Sequence, residues 1–408
     1  MATAAGSTGA AAAEGLVTRA ARNAGSAAAD DRAAAGARPA RLEDLLGGRV
    51  LGWVGGFAVL TGLLFFLVIA ASRGWIGEEA RVLMASGASL ALLAAGAWLH
   101  ERRGRTEAAL ASAATGIAGL FAATVVAGPV YGLVPALPAL VGALVVGAAT
   151  TALALRWAAP GIGWLGMLGA LVSPALVGAA GDGTGIALML IAYAAAGVVL
   201  LWQRWHALAG AAFLVTVPQL GWWMLDWSGD GGPGTGPVIA ALAAFGVVTA
   251  AGAAGFEWRA GTPALRISAH VLLALNALAL AGLGALGLGD GATHAWLAAL
   301  ALAHLAAGLL ARRSPRVSRE LTLAVAGLGI VLADVALASV TDGLPLVLGW
   351  AAGAVAFSAL ARGARQRADE AGTLAGLGGH LLLAIATALT GEAPLGAVTG
   401  GAPDQATA

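Results

Sequence analysis

The charges of this chain lie at the ends of about thirteen apolar stretches, and their sign alternates from one end to the next. Its 22 basic residues are all Arg, and all except Arg73 and Arg81 lie in the N-terminal segment or in every second connection between stretches. The other connections carry mostly Asp, Glu or no charge. Such a distribution is typical of multi-pass membrane proteins, whose cytoplasmic loops hold the excess of Arg. We therefore predict an all-α, polytopic transmembrane helix bundle of about 13 spans with a cytoplasmic N-terminus.

The composition supports a membrane protein and divides the chain into three parts. Apolar residues make up 59% of the chain and charged residues 11%, whereas soluble domains carry about 25% charged residues. About 20 apolar residues form one span, and residues 45–390 are predicted to form the transmembrane domain. Residues 1–44, rich in Ala, Gly and Arg, hold too few large apolar side chains to fold and are expected to form a disordered cytoplasmic tail. Residues 391–408 are a short polar tail.

Each apolar stretch predicts one helix, and most of the 13 Trp lie near the stretch ends, as in an interfacial aromatic belt. Pro174 predicts a kink inside the fifth span, where neighbouring helices can satisfy the backbone. The predicted spans are 50–71, 82–99, 108–128, 136–155, 162–180, 186–202, 207–225, 237–256, 267–288, 295–311, 321–340, 344–361 and 373–390.

The residue types that the chain lacks exclude several kinds of chemistry. Without Cys there are no disulfides, thiolate metal sites or Cys nucleophiles. Without Lys there is no Walker A phosphate loop and no Lys Schiff base. The run from Gly282 to Gly287 has the glycine spacing of a dinucleotide-binding motif. It lies inside a predicted span with no preceding strand, so we do not interpret it as a nucleotide site. A net charge of +1 gives no reason to expect a nucleic acid partner. We expect no cofactor and no metal.

Five polar residues inside the predicted spans form a candidate path: Asp334, His304, Asn276, His380 and Gln219. An ionised Asp at mid-helix costs about 2.5–3.5 kcal/mol on insertion scales, which makes such residues functional candidates. Asn276, His304 and His380 fall at similar depth, whereas Asp334 and Gln219 lie about five residues, or roughly 7–8 Å, nearer the outer face. We expect Asp334 to face the bundle interior, within reach of His304, Asn276 or a water-filled cavity. The alternative is that each residue makes one interhelical hydrogen bond, worth about 0.6 kcal/mol, or that Asp334 is protonated.

A second candidate site lies at the outer end of the seventh span and combines two acids with three Trp: Asp226, Asp230, Trp222, Trp223 and Trp227. Two nearby carboxylates can serve as general acid and general base. However, Asp-Gly sequences are also favoured in simple turns, and Trp near a span end anchors a helix at the interface. An enzyme site and a plain turn both stay open.

Six sequence runs carry a resemblance to a known family. They are 45–56 (LLGGRVLGWVGG), 62–67 (GLLFFL), 74–77 (GWIG), 80–82 (ARV), 131–135 (YGLVP) and 173–176 (SPAL). In order and spacing, the stretch from Leu42 to about Asp226 resembles an uncharacterised bacterial family of predicted multi-pass membrane proteins, catalogued as domain of unknown function 2339. The resemblance covers a little under half of the chain. It implies an integral protein of the bacterial inner (cytoplasmic) membrane, and it carries over no activity and no catalytic residues.

Many helices, short connections and a few buried polar groups favour the transport or flipping of a small or lipid-linked envelope substrate. Any transport would be driven by a gradient or by a partner, because no nucleotide site is present. The alternatives are a membrane-embedded enzyme acting on a lipid-linked glycan and a structural or assembly subunit of a membrane complex. The expected partners are the lipid bilayer and a second copy or another protein, bound through small-residue helix faces. The pairs Gly52/Gly56, Gly349/Gly353 and Gly372/Gly376 have the spacing that lets helices approach closely, and they favour tight packing of the bundle in general without indicating a particular helix pair.

Overall fold

The computed structural model describes residues 51–73, 77–226, 233–259, 261–362 and 367–388. These residues form thirteen α-helices and no strand, which confirms the predicted all-α fold. The tails at 1–44 and 391–408 lie outside the described residues. The helices are α1 (Leu51–Ser72), α2 (Glu78–Arg103), α3 (Glu107–Val125, continued by a π-helical turn at Val126–Val130), α4 (Ala136–Arg156), α5 (Pro160–Leu176), α6 (Gly183–Gln203), α7 (His206–Asp226), α8 (Thr235–Trp258), α9 (Pro263–Gly287), α10 (Asp290–Ala311), α11 (Arg319–Ala338), α12 (Gly343–Ala361) and α13 (Arg367–Thr387).

Each predicted span corresponds to one of these helices, and five helices, α2, α5, α9, α10 and α13, have an end shifted by four residues or more. The first residue of α13 is Arg367, six residues before the predicted start at 373. Similarly, α2 extends through charged residues at both ends, from Glu78 to Arg103. In contrast, α5 ends at Leu176 rather than 180. Pro174 has no N–H to donate, and Gly178 at φ +75° turns the chain out of the helix.

Ten of the described helices have the length and hydropathy of membrane spans. Three further apolar helical stretches are shorter, at Val54–Phe66, Pro160–Leu176 and Ala371–Thr387. Large apolar side chains lie on the outside of these helices, including Leu278 at 70% exposure and Val198 at 68%. A water-soluble protein rarely exposes extended apolar surface, so these faces are suited to contact with lipid. The number of spans and the side of the N-terminus stay predictions.

The chain divides into two compact units: Met1–Trp75 with Ala94–Thr115, and Ile76–Leu93 with Gly116–Ala408. In the first unit, a Cβ on Gly96 would lie 2.6 Å from the backbone nitrogen of Ala113, so this glycine permits close approach of α2 and α3. In the second unit, the most extensive helix contacts join α4 to α5, α8 to α9, α10 to α11 and α12 to α13. Each of these four hairpins has Arg in its connection or, for α4 and α5, at the last residue of the first helix, Arg156. The hairpins therefore close at the Arg-bearing ends of their helices.

The core of the second unit is built by helices α5 to α11. Phe245 of α8 lies near its centre, with ring centroids 5.3 Å from Tyr193 and 5.4 Å from Phe213. A polar contact crosses this apolar core, because the Tyr193 hydroxyl lies 3.0 Å from Thr249 Oγ1. A buried hydroxyl needs such a partner when no water is near.

Candidate functional site

Two of the candidate path residues meet between α11 and α13. Asp334 lies fifteen residues after Arg319, the first residue of α11. His380 lies thirteen residues after Arg367, the first residue of α13. The offset of two residues is about 3 Å at the helical rise. The expected difference of about five residues in depth is therefore not found, because α13 begins earlier than the hydropathy indicates.

The side chains of Asp334 and His380 are in direct contact and buried. His380 Nε2 lies 2.5 Å from Asp334 Oδ2, and each side chain is 8% exposed. The other ring nitrogen, Nδ1, lies 2.7 Å from the carbonyl oxygen of Gly376. A carbonyl can only accept, so Nδ1 carries a proton and donates. The short gap between Nε2 and Oδ2 then holds one proton, borne either by His380 beside a carboxylate or by Asp334 beside a neutral imidazole. Both arrangements are neutral overall, which limits the cost of burial.

Helix α12 provides the space and the walls for this pair. A Cβ on Gly353 would lie 2.5 Å from His380 Cδ2 and 3.2 Å from Asp334 Oδ1, so only glycine leaves room for the contact. Phe357 lies with its ring centroid 4.9 Å from that of His380, and Trp350 at 6.1 Å. The neighbours that α12 provides are thus uncharged. The Asp334–His380 pair is a polar site enclosed by apolar and aromatic groups.

Asn276 and His304 line a different site, a cavity of about 400 Å³ between α8, α9, α10 and α11. Asn276 donates from Nδ2 to the carbonyl oxygen of Gly246 at 3.1 Å, and its buried Oδ1 has no partner within the described part of the chain. His304 Nδ1 lies 2.8 Å from the carbonyl oxygen of Leu300. Asp334, which contacts His380, is not among the residues that line this cavity.

Gln219 repairs a break in a helix. Pro174 removes one N–H donor from α5, and the side-chain amide of Gln219 on α7 bonds to the backbone on either side of it. Its Oε1 accepts from the backbone N–H of Ala175 at 3.2 Å, and its Nε2 donates to the carbonyl oxygen of Leu171 at 2.8 Å. In an unbroken helix, these two backbone groups would bond to each other. Gln219 therefore bridges α7 and α5 at the kink that Pro174 predicts.

The candidate site at the outer end of α7 is only partly described. Trp222 is exposed at 57%, whereas Trp223 is buried at 3%. Trp223 Nε1 has no hydrogen-bond partner among the described residues. Asp226 ends α7, and its side chain lies outside the described residues, as do Trp227 and Asp230. The possible role of two carboxylates at this end stays a prediction.

Two further polar contacts were not expected from the sequence. Glu257 at the end of α8 is only 5% exposed, and its Oε1 accepts from the backbone N–H of Ser318, the residue that caps α11. No sequence signal distinguishes it from an ordinary solvated acid at a helix end. In addition, Arg81 Nη1 lies 3.4 Å from the Tyr131 hydroxyl. Both residues belong to the sequence runs that carry the family resemblance, but the resemblance does not predict that they are in contact.

Among the described side chains, no group of three or more His, Asp or Glu residues lies close enough together to hold a metal ion. The chain matches the model of the family described as "Predicted membrane protein (DUF2339)" over residues 47–398. The match extends far beyond the stretch that carries the resemblance. No curated protein and no solved structure matches the chain. The match establishes a predicted membrane protein and brings no activity with it.

Proposed function

We propose a proton-coupled transport function for this chain, which belongs to the family of predicted membrane proteins whose model it matches over residues 47–398. The substrate would be a small or lipid-linked component of the cell envelope, and the membrane the inner membrane of a bacterium. The observation that supports the proposal is the buried contact between Asp334 and His380. Ionisable residues inside spans are rare, and they are typical of proton relays in pumps and transporters.

The pair can exchange a proton and convert that exchange into a change of packing. In its resting form, one proton lies between Nε2 and Oδ2, and α11 and α13 are joined by a charge-assisted or strong neutral hydrogen bond. Uptake of a second proton leaves a carboxylic acid beside an imidazolium, with a net charge of +1. The electrostatic attraction between the two side chains is then lost, and the contact between α11 and α13 weakens. Release of that proton restores it.

Gly353 makes this contact sensitive to the position of α12. Because the glycine has no side chain, α12 lies directly against the pair, and any separation of α11 from α13 changes the packing of α12 as well. Closely packed helices respond to such changes by moving between discrete arrangements rather than by continuous deformation. A proton-driven movement of α12 is the conformational step that the proposal requires.

The test measures proton access to the pair and needs no known substrate. Purified protein in liposomes on a solid-supported membrane is exposed to rapid pH jumps, and the displaced charge is recorded. We expect a transient current for the natural protein and none for Asp334→Asn, which keeps a hydrogen-bonding side chain but removes the titrating group. The control is Asp342→Asn, the same change at an exposed position in the turn before α12.

A current that is equal in Asp334→Asn and in the natural protein would show that the charge moves elsewhere. No current above that of empty liposomes would show that the pair is sealed from water. Either result would contradict proton-coupled transport. The second would favour the reading of the protein as a structural or assembly subunit.

A further inference from the structure

We infer that the Arg-bearing end of α10 and α11 binds an anionic phospholipid, with the phosphate held near Arg312 and Arg319 and an acyl chain in the cavity that Asn276 and His304 line. The inference goes beyond the proposed transport function and does not depend on it. A bound lipid of this kind would be present whether or not the protein moves a proton.

The headgroup end is a polar pocket of about 360 Å³ between the α10–α11 connection and α12. Arg312, Ser314, Arg319 and Thr322 supply its polar lining. Within the part of the chain that the structure describes, neither guanidinium makes an ion pair with a carboxylate. The planar guanidinium fork matches the geometry of a phosphate, and basic pockets between transmembrane helices bind anionic lipid headgroups.

Two acids lie close to this connection, Glu257 through its contact with Ser318 and Glu320 in the first turn of α11. Glu257 is buried and directs Oε1 to the backbone N–H of Ser318, at the first turn of α11. Four Arg lie in or next to the connection, at 312, 313, 316 and 319. This end of the hairpin therefore keeps an excess of positive charge for an anion.

The polar pocket borders the apolar cavity. Ala311 and Val317 line both of them. From that junction, the cavity follows α10 back to Trp296, a distance of fifteen residues or about 22 Å. A lining of Ala, Leu and Val suits a hydrocarbon chain and offers little to a hydrated ion. Only an amphipathic molecule with a negative head satisfies both ends, and a phospholipid of the adjacent leaflet meets that requirement.

The headgroup test compares two double variants in the same connection. Native mass spectrometry measures the binding of phosphatidylglycerol and of phosphatidylcholine with identical acyl chains to the protein in detergent micelles. We expect the natural protein to bind phosphatidylglycerol more tightly. Arg312→Gln with Arg319→Gln is expected to lower that affinity about tenfold, the equivalent of losing one charge-assisted hydrogen bond. Arg313→Gln with Arg316→Gln removes the same charge beside the pocket and is expected to leave most of the affinity unchanged.

The acyl-chain test compares two adjacent alanines of α10. Ala307 lines the cavity, and Ala306 is exposed outside it. Ala307→Phe is expected to reduce the binding of both phospholipids, and Ala306→Phe to leave it unchanged. Equal losses in the two Arg double variants would show general electrostatic attraction. Equal binding of both phospholipids by the natural protein, or competition by inorganic phosphate as strong as that by phosphatidylglycerol, would also overturn the inference.

Discussion

Replacing Gln219 by Met is expected to destabilise the protein strongly, because three hydrogen bonds depend on this side chain. They join it to Ala175 N–H, to the Leu171 carbonyl and to the Val215 carbonyl of its own helix. At about 0.6 kcal/mol for each hydrogen bond in a membrane, the loss is about 2 kcal/mol. If the two α5 backbone groups stay unpaired, at about 1–3 kcal/mol each, the loss reaches about 6 kcal/mol. Met has a similar length, so little of this loss comes from altered packing.

The assay is equilibrium unfolding of the purified protein in mixed micelles with increasing dodecyl sulfate, followed by circular dichroism. Gln203→Met serves as the control, because Gln203 is exposed at the end of α6. A double-mutant cycle with Pro174→Ala tests the mechanism. Without the proline, α5 can straighten and pair its own backbone groups, so Gln219→Met should cost less in that background. A loss no larger than that of Gln203→Met, or full additivity with Pro174→Ala, would refute the repair role of Gln219.

Three further predictions concern packing, capping and orientation. Gly353→Ala should lower the free energy of unfolding by about 1–3 kcal/mol, because the added methyl displaces the imidazole of His380. Gly372 has open space around it, so Gly372→Ala should raise the free energy of unfolding by up to about 1 kcal/mol. The reverse order of the two variants in dodecyl sulfate unfolding would contradict the described packing. Glu257→Ala should cost about 1–3 kcal/mol by leaving a backbone N–H without its acceptor, and Glu257→Gln should retain most of the stability in the same assay. Reporter fusions after Arg105 and after Asp230 should report opposite sides of the membrane, and the same side for both would contradict the predicted topology.

Hydropathy and charge predicted the helices well, because lipid leaves the backbone few alternatives. A chain segment in hydrocarbon must satisfy its own hydrogen bonds, so an apolar stretch bounded by Arg becomes a helix. The ends of the helices were less predictable. The charged segment from Arg367 to Glu370 was predicted to lie in a loop, but it forms the first turn of α13. Pro174 predicted a kink, and the helix ends two residues after it.

Polar residues could be selected from the sequence, but their partners could not. Asp334 was expected within reach of His304, Asn276 or a water-filled cavity, whereas its contact with His380 was not predicted, since a hydropathy profile carries no information on which helices are neighbours. Gln219 was predicted to belong to the candidate path of polar residues, and its side chain bonds to the backbone of α5. The match of its amide to the gap beside Pro174 depends on how α5 and α7 pack, which no local pattern records.

The account depends most on the single proton between Asp334 and His380. Solid-state nuclear magnetic resonance of the protein in lipid, with ¹⁵N-labelled histidine assigned by comparison with His380→Gln, reports the protonation of both ring nitrogens. We predict that Nδ1 carries a proton at every pH at which the protein stays folded. The Nε2 resonance should shift as the pH is changed and lose that response in Asp334→Asn. An Nε2 resonance that is unchanged over the whole range would contradict proton exchange at this site and leave the pair as a structural contact between α11 and α13.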